Sequence, residues 1–291
     1  MSQRTVRVAL LLCDTPLPAV VAEFGTYLEI YTNWLKTSLA SYPDQQVAKG
    51  INLIVDGYDV VTAMEYPDLS RLQPGHPEAY DVIMMTGSKH TAHDMSNPFG
   101  PRLIDFIRKI GTSPETGHIR LIGVCFGHQI IALAMGGECV PGKNGWEAGV
   151  YRNQFVGEGR YWWTGEVEGQ GGSDCVYIEQ MHRDYVSRPP PNFSILLKTD
   201  RYANHSMVLL HPTSTPDQPI AHMLTVQGHP EFTPQIVNHM LDVRIPGGVF
   251  SPEEGKESRR RAGGKDGSGG EGYGRVGWAI WRVMLQEIPR S

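Results

Sequence analysis

Through the first half of the chain, short unbroken apolar runs alternate with segments whose apolar residues recur every three or four positions. Residues 7–13 are a continuous run rich in Val and Leu, the pattern of a strand buried on both faces. Pro16 and Pro18 break it, and Pro18 is suited to open a helix. Val20, Val21, Phe24, Leu28, Tyr31, Leu35 and Leu39 then predict one helix over 19–39. Residues 51–61 contain a second strand, and 80–86 a third that ends at Gly87. Leu103, Ile104, Phe106, Ile107 and Ile110 form one face of a helix over 99–110. Residues 119–124 are again a buried strand and lead directly into Cys125; 130–135 continue as helix and stop at Gly136 and Gly137. Such alternation predicts an α/β fold with a doubly wound, mainly parallel sheet flanked by helices.

After Gly145 the pattern changes. Residues 150–155, 174–180, 195–199, 206–210 and 220–226 read as strands separated by turns, additional antiparallel strands that complete the same sheet. Helices are expected over 234–243 and 276–287. The Gly-rich run 263–274 follows no strand and lacks the glycine order of a phosphate loop, so it reads as a mobile connector. These signals divide the chain into a main α/β domain, 1–245, and a C-terminal helical extension, 246–291, packed on that domain.

Composition narrows the function classes. A net charge of -5 gives no electrostatic reason for a nucleic-acid partner. The one basic cluster, Arg259 to Arg261, lies beside Glu253, Glu254 and Glu257 and reads as a solvated helix face. The N-terminal apolar run, 8–13, is six residues long and stops at Asp14, too short for a signal-peptide core or a membrane span. Cys13, Cys125, Cys139 and Cys175 show no CxxC spacing, which is expected of reduced thiols in a cytoplasmic protein. Cys13, Cys139 and Cys175 are expected to pack in strands.

Cys125 differs. Gly123-Val124-Cys125-Phe126-Gly127 has the G-x-nucleophile-x-G form of a strand-to-helix elbow. A nucleophile on so sharp a turn needs neighbours without side chains, and the start of a helix favours an anionic sulfur. The N–H of Phe126 then points where a tetrahedral oxyanion would form. Of the 11 histidines, His229 stands at the end of an apolar strand in Gln227-Gly228-His229-Pro230-Glu231. Side chains two apart on an extended segment face the same way, so Glu231 can orient the ring of His229. In a parallel sheet both motifs would emerge at the carboxyl edge.

Cys125 in Gly-x-Cys-x-Gly-His-Gln, followed by His229-Pro230-Glu231, resembles the class I glutamine amidotransferase domain of the triad type. Met85 to Ser88 look like that family's oxyanion loop, in which the N–H of Gly87 would join that of Phe126. Gln129 matches the glutamine that contacts the γ-glutamyl group, and Met181, His182, Arg183 and Asp184 correspond to the segment whose backbone holds the substrate's amino-acid end. The resemblance implies hydrolysis of a γ-glutamyl amide through a cysteine thioester, with a small-molecule substrate and no cofactor. Gly228 stands where a Phe is frequent, Arg183 where a Gly is frequent, and Asn144 to Glu147 follow the elbow helix. These features are similar to the free-standing plant and fungal branch, which includes γ-glutamyl peptidases acting on glutathione conjugates. An absent bulky side chain at Gly228 would leave room for a leaving group larger than ammonia. Two alternatives are a glutaminase subunit serving a separate synthetase partner and a non-catalytic scaffold that retains the triad. His90, His93 and Asp94 read as a polar rim loop, with no metal expected.

Overall fold

The computed structural model of the chain describes residues 3–165, 172–264, 267 and 269–288. Eleven strands occur among them: β1 (Arg4–Leu12), β2 (Ile51–Asp59), β3 (Val82–Met85), β4 (Arg120–Val124), β5 (Glu138–Val140), β6 (Glu147–Phe155), β7 (Cys175–His182), β8 (Tyr185–Arg188), β9 (Ser194–Lys198), β10 (Ser206–Leu210) and β11 (Ala221–Val226). Nine form one sheet in the order β2-β1-β3-β4-β11-β10-β9-β6-β7, and β5 pairs with β8 apart from it. The first five strands of the large sheet run parallel, and β10, β9, β6 and β7 extend it by antiparallel pairing.

The helices are α1 (Pro18–Phe24), α2 (Tyr27–Ala40), α3 (Gln45–Lys49), α4 (Phe99–Thr112), α5 (Phe126–Ala134), α6 (Gly159–Thr164), α7 (Pro234–Arg244), α8 (Pro252–Ala262) and α9 (Gly277–Leu285). Alternation along β1 divides the core. Val6, Val8 and Leu10 face a cluster with α1, α2, α7 and α9, while Ala9 and Leu11 face α4 and α5. The parallel strands are therefore covered on both sides, which is why they read as unbroken apolar runs.

The predicted helix over 19–39 is two. The chain breaks at Gly25, whose φ is 83°, and Thr26 starts α2 with a capping box: its hydroxyl accepts from Glu29 N at 3.4 Å and Glu29 Oε2 accepts from Thr26 N at 2.7 Å. Apolar spacing continues across the break, so periodicity alone did not reveal it. The basic cluster also departs from a wholly solvated face. Arg261 stacks on Tyr151 at 4.6 Å and Arg259 pairs with Asp242, whereas Arg260 pairs with Glu257 in solvent.

The Gly-rich run is likewise more than a connector; residues 265, 266 and 268 lie outside the described residues. Glu271 N donates to Tyr177 O at 2.7 Å and Glu271 Oε2 accepts from Tyr177 N at 2.8 Å, so this segment covers the open edge of β7. Gly272 O accepts from Trp34 Nε1 at 2.9 Å, and Tyr273 Oη donates to Glu231 O at 3.2 Å. A Cβ on Gly272 would lie 1.9 Å from the carbonyl oxygen of Pro230. Glycine is thus required by close backbone approach. Gly272→Ala is expected to cost about 1–3 kcal/mol of unfolding free energy, read from urea denaturation, and to lower activity because it pushes on the residue between His229 and Glu231.

Candidate active site

Register places the carboxyl ends of three neighbouring strands level: Met85 opposite Gly123, and Val124 opposite Val226. Their loops meet at one edge of the sheet. Cys125 closes β4 with φ 51° and ψ -101°, a left-handed conformation that non-glycine residues rarely adopt, and its N–H donates to Val226 O at 2.8 Å. Phe126 opens α5, so its N–H belongs to the first helical turn, where no intrahelical acceptor exists. The flanking glycines are needed for space. A Cβ on Gly127 would lie 2.7 Å from Met85 Cβ, and one on Gly123 would lie 2.5 Å from the Gly127 carbonyl.

His229 and Glu231 follow β11 on the adjacent loop. His229 Nδ1 and Glu231 Oε1 are 2.8 Å apart, and Phe232 stacks on the imidazole with ring centres 4.0 Å apart. Burial by itself would lower the proton affinity of His229, but Cys125 and Glu231 overcome it and push the ring up to about 10. The backbone is held as well, since His229 N donates to Glu179 O at 2.7 Å. The Glu179 side chain is buried with neither carboxyl oxygen bonded among the described residues, and burial pushes it up to about 9. It is therefore neutral at pH 7 and leaves Glu231 as the carboxylate paired with His229.

Three further side chains belong to this constellation. Tyr31 Oη donates to Glu231 Oε1 at 2.9 Å and accepts from Gly87 N at 3.2 Å. Gln227 Nε2 lies 3.6 Å from Cys125 Sγ, and Gln227 Oε1 accepts from Gln129 Nε2 at 3.2 Å. Glu147 is the third, behind the segment 181–184. Gln227 was within reach of the sequence, because it stands two residues before His229 on an extended segment. Tyr31 was visible only as one more apolar position on a helix.

Two expectations change. The N–H of Gly87 was to face an oxyanion, but it is engaged by the Tyr31 hydroxyl, while a Cβ on Gly87 would lie 2.5 Å from His229 Cε1. Gly228 opens no room for a leaving group. A Cβ there would lie 2.5 Å from Gln180 Nε2 and 2.7 Å from Ile178 Cγ2, so packing of β7 fills the space.

The segment 181–184 does border the site, in a chamber of about 200 Å³ that also holds Cys125 and Gln129. Gln129 Nε2 donates to Asp184 O at 2.9 Å. Arg183 extends over Trp146 at 5.8 Å, and Asp184 pairs with His93 at 3.2 Å. The His182 ring points inward between Asp184 O at 3.1 Å and Glu147 Oε2 at 3.0 Å. Glu147 Oε2 also meets His205 Nε2 at 2.9 Å, and Glu147 Oε1 accepts from Thr199 Oγ1 at 2.6 Å. Burial would raise the Glu147 carboxyl, yet His182 and His205 hold it far below the usual carboxylate range. The ligand atoms of Glu147, His182 and His205 lie within 4.8 Å of one another, a spacing that suits a cation. A proton between ring and carboxylate satisfies the same atoms. A second chamber, about 150 Å³ and mainly apolar, adjoins the first on the His229 side.

An open α/β sheet with a left-handed cysteine at a strand–helix elbow, beside a carboxylate-bound histidine, defines a class of protein with a hydrolase-type site. Within that class, the chain belongs to the family described as Glutamine amidotransferase class-I, whose profile matches residues 60–244. It is 27% identical to a glutamine amidotransferase-like protein of Schizosaccharomyces pombe, over 88% of this chain and 91% of that one. It is 28% identical to Gamma-glutamyl peptidase 4 of Arabidopsis thaliana, over 66% of this chain and 68% of that one. A glutamine amidotransferase structure from Thermotoga maritima superposes with a TM-score of 0.63 at 16% identity, covering 98% of this chain and 100% of that one. Among the described residues no helix is long and apolar enough to cross a membrane.

Because His229 is raised on folding, its contribution to stability is complete below an unfolded value of about 6.5 and is lost as pH rises through about 10. Urea midpoints between pH 7 and pH 10 should therefore fall, and Glu231→Gln should make that fall smaller. Tyr31→Phe leaves the Gly87 N–H buried without its partner and should cost about 1–3 kcal/mol, measured at pH 7.

Proposed function

We propose that this chain hydrolyses γ-glutamyl amides through a γ-glutamyl thioester on Cys125, as a free-standing γ-glutamyl hydrolase or peptidase. The observation that most supports this reading is the left-handed Cys125 at the head of α5, interacting with a His229 that Glu231 holds at 2.8 Å. The γ-glutamyl end of the substrate occupies the chamber bordered by Gln129 and 181–184.

The Cys125 sulfur attacks the γ-carbonyl carbon, and the N–H of Phe126 receives the developing oxyanion. Gly87 joins it only if Tyr31 releases its amide. His229 then gives its proton to the leaving nitrogen as the C–N bond breaks. A water molecule passes a proton to His229 and adds to the thioester carbonyl; the C–S bond breaks and glutamate leaves. Tyr31 and Glu231 keep the ring in place throughout, and Gln227 ties the sulfur to the substrate-facing Gln129.

Purified protein should release glutamate from a γ-glutamyl dipeptide or a glutathione S-conjugate faster than from glutamine. Cys125→Ala and His229→Gln should each lower kcat/KM by at least about 10³-fold, and a γ-glutamyl adduct on Cys125 should be visible by mass spectrometry after acid quench. Weak glutaminase activity that rises only with an added synthetase would favour the subunit reading. Absence of turnover and of adduct with every donor would leave the scaffold.

A further inference from the structure

The two chambers share Ser88, Lys89, Met181 and Arg244 as a common border. Basic side chains there differ in how they are neutralised. Lys89 Nζ is paired with Asp14 at 2.7 Å, and Arg183 lies 3.7 Å from Asp184. Arg244, the last residue of α7, has no such partner among the described residues. Its guanidinium carbon sits 5.4 Å from the centre of the Trp146 ring, and Nη1 is buried with no hydrogen-bond partner. Among the described residues no carboxylate lies within ion-pairing distance of it. Arg244 itself is half-buried, but a guanidinium nitrogen buried without a partner is costly, and a fold tolerates one most readily where a ligand anion completes it.

The chamber beyond Arg244 has the opposite character. Leu17, Val20, Phe232, Ile236 and Met240 line most of it, and His229 opens into it. Its volume is about 150 Å³, and an apolar cavity of about that size takes a six-membered ring. In the hydrolysis proposed above, a group that takes its proton from His229 would depart on this side, because His229 lines this chamber and not the other.

Resting on the hydrolysis proposed above, we infer that Arg244 binds a carboxylate of the leaving amine while the apolar chamber takes its side chain, so that the preferred substrates are γ-glutamyl amides of apolar amino acids. Arg244 is then a specificity residue. The planar guanidinium grips the carboxylate by two N–H donors, and the same anion neutralises the charge that the fold leaves open. Glutamine, whose leaving group is ammonia, uses neither feature.

The test compares γ-glutamylphenylalanine with γ-glutamylphenethylamide, which differs only by lacking the carboxylate. Wild-type protein should prefer the former in kcat/KM by roughly 10- to 100-fold. That ratio should fall towards one in Arg244→Gln and stay intermediate in Arg244→Lys, which keeps the charge without the fork; thermal melts establish that each variant is folded. No preference in the wild type, or equal losses on both substrates in Arg244→Gln, would overturn the assignment, because Arg244 would then serve the glutamyl end or the sulfur. Failure of the wild type to release glutamate from any donor is a different result and refutes the hydrolysis itself. Calorimetric binding of the same two compounds to Cys125→Ala, with and without Arg244→Gln, then decides on Arg244: a carboxylate preference abolished by the second substitution supports it, and no preference or no binding sinks it.

Discussion

The site depends on one backbone constraint, the left-handed turn that Cys125 makes between β4 and α5. A residue with a side chain is held there only if its surroundings over-determine it. Here they do. The Cys125 N–H is fixed by Val226 O, and Gly127 runs against Met85 so closely that no side chain fits. Both contacts reach strands that flank β4, so the turn is set by the sheet and in turn aligns the loops after β3 and β11 beside the sulfur.

Around that turn the charges are distributed unequally, and hydrogen bonds explain why. Two carboxyl groups are buried near His229. Glu231 receives Tyr31 and His229 on one oxygen, while Glu179 has no partner among the described residues and is kept neutral by desolvation. Of the two carboxyl groups, only Glu231 is thus set to pair with the imidazole. The same logic operates under the segment 181–184, where Glu147 is ionised because His182, His205 and Thr199 surround it. Fixing His182 also fixes the Asp184 carbonyl, to which Gln129 is bonded. A buried histidine–carboxylate contact therefore acts on the site through backbone position.

Antiparallel extension of the sheet gives the molecule its second wall. β7 is an edge strand, and the Gly-rich segment after α8 covers it, reaching Pro230 and Glu231 from behind. Shielding an exposed edge and bracing the histidine loop are done by the same residues, because both tasks require backbone to lie directly on backbone.

Much of this was readable from the chain. Unbroken apolar runs indicated strands covered on both faces, flanking glycines indicated the elbow, and the two-residue spacing of His229 and Glu231 brought them to one side. Each of these is a relation between near neighbours, governed by the fixed geometry of strand and helix. Tyr31 bonding Glu231, Gln227 bonding Gln129, Gly272 pressing on Pro230 and Arg244 standing without an ion-pair partner among the described residues were not readable, since they join residues from 42 to 200 positions apart or turn on what fails to approach. Gly228 shows the difference most directly. An absent side chain is visible in a sequence, but whether it leaves space depends on how tightly β7 packs against it, and only the tertiary structure decides that.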